Sequence, residues 1–284
     1  MERTNYLAIR FDIDSVTCCE RGVPRLLELG RRRGVKFTFF ANMGRSFNFM
    51  VNCRLRLKGR PTSGPPQVKL GLKEKLTWSG ILKTVILNPA LGTKYLKTLE
   101  RVKKEGHELG LHGGTDHVVW QHGIRDMNRD SLLKLFLPAY EQFSQAFGKP
   151  EGFACPGFQY DDRVFDILEN YNFAYSSDMD GEHPFPTTVN GKRHRLWQVP
   201  VNIMGGGKVP AIEEMIAKGC DAERIGRDVA DRIMRKEFSL LYGHPYVEGV
   251  RCEILDSVLD RIQNSHQVVT LSEYLEKWRK IYDS

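Results

Sequence analysis

Short apolar runs alternate with amphipathic stretches along almost the whole chain, and this alternation limits the fold more than any other feature. The runs fall at 7–13, 36–41, 108–112, 152–155, 174–177, 197–201, 239–243 and 267–270. Between them, helical periodicity covers 23–33, 94–104, 129–147, 161–170, 222–236, 252–263 and 272–282. Strands that alternate with helices of this length form parallel βα units. With seven or eight units and no glycine-rich phosphate loop, an α/β barrel is favoured over an open dinucleotide-binding sheet. The 284 residues suit one such barrel spanning 1–284, and no linker or internal repeat divides them. Two stretches break the rhythm: a long insertion at about 45–93, after the second strand, and the Gly- and Pro-rich stretch 179–207, which reads as loop plus hairpin.

The residues capable of chemistry cluster just after the predicted strands. Asp12 and Asp14 end the first, Asn42 the second, and His112 and His117 follow the third. Pro156 follows the fourth, Asp178 the fifth, and His244 the last but one. In α/β barrels the C-terminal rim of the strands is where active sites are built. In Phe11-Asp12-Ile13-Asp14 both carboxylates face one side, because residues i and i+2 of a strand do. A lone aspartate there could simply cap the next helix. Two aligned carboxylates repel unless a cation or a shared proton relieves them. Two imidazoles and one carboxylate suffice for a divalent ion with open positions. His112 and His117 offer the imidazoles at a spacing of i, i+5, with Gly113-Gly114 arguing for a loop between them. A histidine that ends an apolar strand, as His244 does, can be a general acid or an ordinary hydrogen-bonded side chain.

Taken in order, these residues resemble the polysaccharide deacetylase superfamily (NodB-like, carbohydrate esterase family 4). They are most similar to its lipid-linked formamido-arabinose deformylase branch. Arg10-Phe11-Asp12-Ile13-Asp14 resembles the first motif, and 22–29 and Thr38-Phe39-Phe40 continue the likeness. The stretch from Gly106 to Gln121 resembles the two-histidine motif. Pro156-Gly157-Phe158, 175–178 with Pro184-Phe185, and His244 with Val247-Glu248-Gly249 are similar to the later motifs. The resemblance implies a deformed (β/α) barrel and a divalent ion, usually zinc, with cobalt, nickel or manganese as alternatives. It implies Asp14, His112 and His117 as ligands, Asp12 as general base and His244 as general acid. Pro156, Gly157, Phe158, Asp178 and Glu248 would line the substrate. Three departures stand out. The histidines are i, i+5 rather than i, i+4. An Arg that normally steadies the base is missing, with Ala154 and Gln159 nearby. Asp12 and Asp14 are separated by Ile13, as in the deformylase branch.

Charge adds a partner. Between Arg54 and Glu105 thirteen basic residues face three acidic ones, a net of +10, so the rest of a chain of net charge +7 carries −3. The same segment holds an apolar stretch with Trp78, Ile81, Leu82, Val85, Ile86 and Leu87. Cations beside a Trp-bearing apolar stretch suit an anionic membrane surface. A solvated insertion with a buried helix reads equally well. Nucleic acid is not expected, because the aromatics are not interleaved with the cations. A signal peptide, a run of about 18 uncharged apolar residues and a C-x-x-C pair are all missing from the sequence, so reduced thiols and a cytoplasmic location, peripheral on the inner membrane face, are expected. The expected function is metal-dependent removal of an N-formyl or N-acetyl group from an amino sugar, on a polyprenyl-phosphate carrier. The alternatives are a soluble carbohydrate or ureide amide hydrolase, and a non-catalytic carbohydrate- or lipid-binding relative.

Overall fold

The computed structural model describes residues 5–51, 53 and 83–282. A central strand, β1 (Asn5–Ile13), organises the sheet. β2 (Thr38–Ala41), β3 (Glu108–His112), β4 (Gly152–Ala154) and β5 (Tyr175–Ser176) follow outward on one side, all parallel. The hairpin of β6 (Phe185–Val189) and β7 (Lys192–Gln198) ends that side, with β7 parallel to β5. β8 (Phe238–Gly243) lies along the other edge of β1. β9 (His266–Val269) pairs with the N-terminal half of β1, and β2 with its C-terminal half, so two strands share one edge in succession. Past β7, the Ile203 amide donates to the Leu240 carbonyl at 3.1 Å, and this bridge spans the seam between the sheet's two ends. The result is a deformed barrel. Seven of the eight expected strands are in place; the one expected at 197–201 lies earlier, as β7 over Lys192–Gln198, because it is the second arm of the expected hairpin, whose first arm is β6.

Period-two alternation sorts the side chains. Leu7, Ile9, Phe11 and Ile13 of β1, with Phe39, Leu109, Leu111, Phe153 and Leu241, pack outward against the helices. Ala8, Phe40, Ala154, Tyr175, Leu240 and Tyr242 pack inside the barrel. By the same parity Arg10, Asp12 and His112 point inward, and each is almost fully buried.

The outer helices are α1 (Val23–Arg33), α2 (Leu96–Lys104), α3 (His117–Gly123), α4 (Arg129–Phe147), α5 (Asp162–Asn170), α6 (Ala211–Ala217), α7 (Ala222–Met234), α8 (Cys252–Ile262) and α9 (Leu271–Tyr282). Their ends follow local chemistry. α1 has Pro24 in its first turn and stops at Gly34, whose φ of 67° suits a residue without Cβ. Asn128 caps α4 by accepting from the Ser131 amide at 2.9 Å. Helices α3 and α6 were not expected from periodicity. Both are seven residues long, too short to display a periodic face. Most of the expected insertion, including Trp78, Ile81 and Leu82, lies outside the described residues.

Candidate active site

The inward-facing ends of β1, β3 and β8 meet at the C-terminal rim. Asp12 is held from its own strand. Arg10 Nε donates to Asp12 Oδ1 at 2.8 Å and Nη2 to Oδ2 at 2.7 Å, a bidentate clamp. The guanidinium is fully buried between three rings, with Cζ 5.0 Å from the Phe40 centroid, 5.2 Å from Phe158 and 5.1 Å from Tyr242. Its remaining arm donates to the Ser177 carbonyl. Burial alone would lower the Arg10 pKa, but the Asp12 carboxylate outweighs it and the group stays charged. The guanidinium absent near Ala154 and Gln159 is therefore supplied two residues before the carboxylate it holds.

Asp14 faces three histidines. Its Oδ1 lies 3.2 Å from His112 Nε2 and 3.4 Å from His117 Nε2, and its Oδ2 lies 3.3 Å from His244 Nε2. Burial would raise the Asp14 pKa, but His117 and His112 outweigh it and hold the carboxyl well below its usual range. His112 Nδ1 donates to the Ala154 carbonyl at 2.8 Å, which fixes the ring orientation and leaves Nε2 facing Asp14. His112 Nε2 is also 3.8 Å from Asp12 Oδ2.

The expected loop runs over 113–116, and His117 is the first residue of α3. Asp116 caps that helix by accepting from the Val119 amide at 2.9 Å, and Asn48 Nδ2 donates to its other oxygen at 2.7 Å. The Arg45 backbone pairs with the same segment, since its amide donates to the Thr115 carbonyl at 2.9 Å and its carbonyl accepts from the His117 amide at 3.0 Å. Gly113, at φ 68° and against the Pro156 ring, makes the turn that absorbs the extra residue between the histidines.

The donor set fits a divalent cation. Asp14 Oδ1 and His117 Nε2 are buried and make no well-formed hydrogen bond, having only the ion-pair approaches of 3.2 and 3.4 Å around Asp14, an expensive state for polar atoms unless something binds them. Candidate donor atoms of Asp14, His112 and His117 all lie within 4.8 Å of one another. The 3.2 and 3.4 Å separations match those between ligands that share an ion at about 2.1 Å in tetrahedral geometry.

On the far side of Asp14, His244 is oriented from both nitrogens. Nδ1 lies 2.5 Å from Glu213 Oε1, and Nε2 lies 2.9 Å from the Tyr242 hydroxyl. Burial opposes its protonation, but Glu213 and Asp14 overcome that and raise its pKa well above the usual imidazole value. Glu213, on α6, carries no signal in the sequence, because nothing near it marks a strand end. Arg10 and Tyr242 carried a readable signal, since each shares inward parity with a chemistry-bearing neighbour.

The other candidate residues take different places. Asp178 is buried, and its oxygens accept from the Cys155 amide at 2.8 Å and from the Ser176 hydroxyl. Glu248 accepts from the His244 amide at 2.7 Å, and burial with Glu213 nearby pushes its pKa up to about 8. Both carboxylates face backbone amides. Pro156 and Phe158 are buried, and Gly157, at φ 61°, is exposed between them. Phe158 packs edge-on against Tyr242 at 5.3 Å.

A carboxylate pair and three histidines gathered on the C-terminal rim of a barrel are groups suited to acid–base and metal-assisted chemistry. Residues 2–176 match the polysaccharide deacetylase family model, and the chain belongs to that family. A curated relative from Shewanella sediminis, described as a probable 4-deoxy-4-formamido-L-arabinose-phosphoundecaprenol deformylase ArnD, is 24% identical over 280 residues, which cover 95% of this chain and 86% of its own length. A relative from Wigglesworthia glossinidia brevipalpis with the same description is 27% identical over 240 residues, 81% of this chain and 78% of its own. Among solved structures, a Mycobacterium smegmatis protein described as a polysaccharide deacetylase superposes with a TM-score of 0.65 at 17% identity, covering 99% of this chain and 92% of its own. A Pseudomonas aeruginosa PAO1 protein described in the same way gives 0.62 at 14% identity, covering 97% and 91%. At these identities the structures establish the fold.

Proposed function

We propose that the protein is a divalent-metal amidohydrolase that removes the N-formyl group of an amino sugar carried on a polyprenyl phosphate. The observation that carries this reading is the convergence of three differently prepared groups on one rim. They are a clamped carboxylate (Asp12), a set of closely spaced metal-ligating groups (Asp14, His112, His117) of which Asp14 Oδ1 and His117 Nε2 are unbonded, and a carboxylate-backed imidazole (His244). The descriptions of the curated relatives favour formyl, arabinose and the lipid carrier.

Asp14, His112 and His117 would hold the ion, which supplies Lewis acidity toward the amide carbonyl and toward water. Arg10 aims the Asp12 carboxylate, and Asp12 takes a proton from the attacking water. His244 gives its Nε2 proton to the departing amine, while Glu213 stabilises the imidazolium from Nδ1. Water and amide are converted to formate and a free amine. The clamp on Asp12 removes the main motive for a non-catalytic reading.

A lipid surface is supported at the described ends of the insertion. Phe49, Met50, Ile86 and Leu87 are 69%, 77%, 68% and 70% exposed. The two ends are tied by Phe47 and Asn88, whose side-chain amide bonds both polar groups of the Phe47 backbone. Among the described residues no helix is long and apolar enough to cross a membrane. The direct test is mass spectrometry of formylated and acetylated amino sugars, free and polyprenyl-linked, after incubation with the metal-loaded enzyme. Release of formate from the lipid-linked substrate is expected. Turnover of free N-acetyl sugars alone would overturn the reading.

A further inference from the structure

The turn between β7 and α6 carries a lysine in an unusual backbone state. Gly207 and Lys208 both have left-handed φ, 62° and 64°. That region is uncommon for a residue with a Cβ, and such outliers gather at functional sites. The turn is well fixed. The Gly205 amide donates to the Val209 carbonyl at 2.8 Å, and Met204 bridges to Pro210. The conformation sends the Lys208 side chain over the rim. Its Nζ stands 5.1 Å from the Phe158 centroid, 5.9 Å from the Tyr160 centroid and 3.4 Å from the Asp178 carbonyl. Its carboxylate neighbour, Asp180 at 3.5 Å, is itself 80% exposed, so water competes for both partners and the pair is weak.

Phe158 connects this cation to the reacting groups. The same ring lies 5.2 Å from the Arg10 guanidinium and meets Tyr242 edge-on, and the Tyr242 hydroxyl is 2.9 Å from His244 Nε2. A short aromatic wall therefore separates the Lys208 ammonium from the imidazole that faces the leaving amine. The acids around that wall are already engaged: Asp12 by Arg10, Asp178 by the Cys155 amide and Glu213 by His244. A phosphate on the Lys208 side of the wall would be separated from the ion-binding groups and would need a cation of its own. Arg10 is buried and committed to Asp12, whereas the Lys208 side chain is 34% exposed.

We propose that Lys208 is a specificity-determining residue that binds the phosphate on the anomeric side of the sugar while the N-acyl group faces His244. This rests on the functional reading above. The wall is two rings long, with centroids 5.3 Å apart, so a sugar lying along it would hold its amide toward Tyr242 while the phosphate, projecting beyond the ring, reaches toward Lys208. A compact ammonium suits a phosphate as a point charge.

Two measurements test this on metal-loaded protein, with wild type, Lys208→Met and Lys208→Arg. Calorimetry with L-arabinose 1-phosphate and L-arabinose reads binding without turnover. Wild type is expected to prefer the phosphate by about tenfold or more, Lys208→Met to lose that preference, and Lys208→Arg to keep most of it. Undiminished phosphate binding in Lys208→Met would overturn the proposal, because the phosphate would then sit elsewhere, on the ion included. Deformylation assays supply the second readout. Lys208→Met is expected to raise KM for the polyprenyl phosphodiester of the formamido sugar and not for its methyl glycoside. Equal losses on both would make Lys208 a structural residue and overturn the proposal. If phosphate binding depends on Lys208 but no formamido sugar is turned over, the functional reading fails and the phosphate site stands.

Discussion

The rim cluster of Asp14, His112 and His117 and a second cluster of Asp166, Glu169 and His194 contain the same kinds of side chain, each with donor atoms within 4.8 Å of one another. What differs is how those donors are spent. In the second cluster Lys192 pairs with Asp166, and Arg195 reaches Glu169 at 3.1 Å from Nε and 2.7 Å from its amide. His194 Nδ1 faces Glu169 at 3.3 Å. The acids already have cations, and the cluster clamps α5 to β7. At the rim, Asp14 Oδ1 and His117 Nε2 have no such partners, and no lysine or arginine pairs with Asp14 among the described residues. His194 Nε2 is unbonded as well, so the distinction lies in the acids: those of the second cluster already have lysine and arginine partners, and Asp14 has none among the described residues, which leaves it suited to a cation.

The largest expected effect separates base from ligands within the rim. Asp12→Asn should reduce turnover by roughly 10²–10⁴-fold or more while metal content, read by elemental analysis, stays at the wild-type level. If Asp12→Asn loses the ion and Asp14→Asn keeps it, the two roles are exchanged. Next is the clamp. Arg10→Met leaves Asp12 buried without its partner, and breaking such a pair costs about 3–5 kcal/mol, so the melting temperature and kcat should fall together. Arg10→Lys keeps a charge but loses the fork, and should recover part of both. Glu213→Gln should lower kcat by about 10-fold or more with metal retained, because His244 loses the charge that favours its imidazolium. The smallest effect belongs to the second cluster. Glu169→Gln should cost about 1 kcal/mol or less, read by denaturant titration, and leave turnover unchanged.

These differences mark what a reader of the sequence can and cannot see. The strand ends were legible because period-two alternation and strand–helix spacing are local, and they set Asp12, Asp14, His112 and His244 on one rim. Arg10 was legible in principle, since it shares parity with Asp12, but its bidentate contact depends on rotamers that only packing against Phe40, Phe158 and Tyr242 selects. Glu213 was not legible: it arrives on a short helix behind a glycine turn, and its contact with His244 spans 31 residues of sequence. The helical start at His117 also depends on a distant strand end, through Arg45 and Asn48. A +10 charge on one segment says nothing of where its apolar side chains go, and residues 54–82 lie outside those described.

The comparison of the two clusters reduces to one measurement: metal stoichiometry of wild type, His117→Ala and His194→Ala purified side by side, with deformylation assayed on the same preparations. Wild type and His194→Ala should each hold about one divalent ion per chain and turn over, while His117→Ala should lose the ion and the activity together. An ion that stays in His117→Ala with full turnover, or leaves with His194→Ala, would contradict the assignment of the rim cluster as the metal centre.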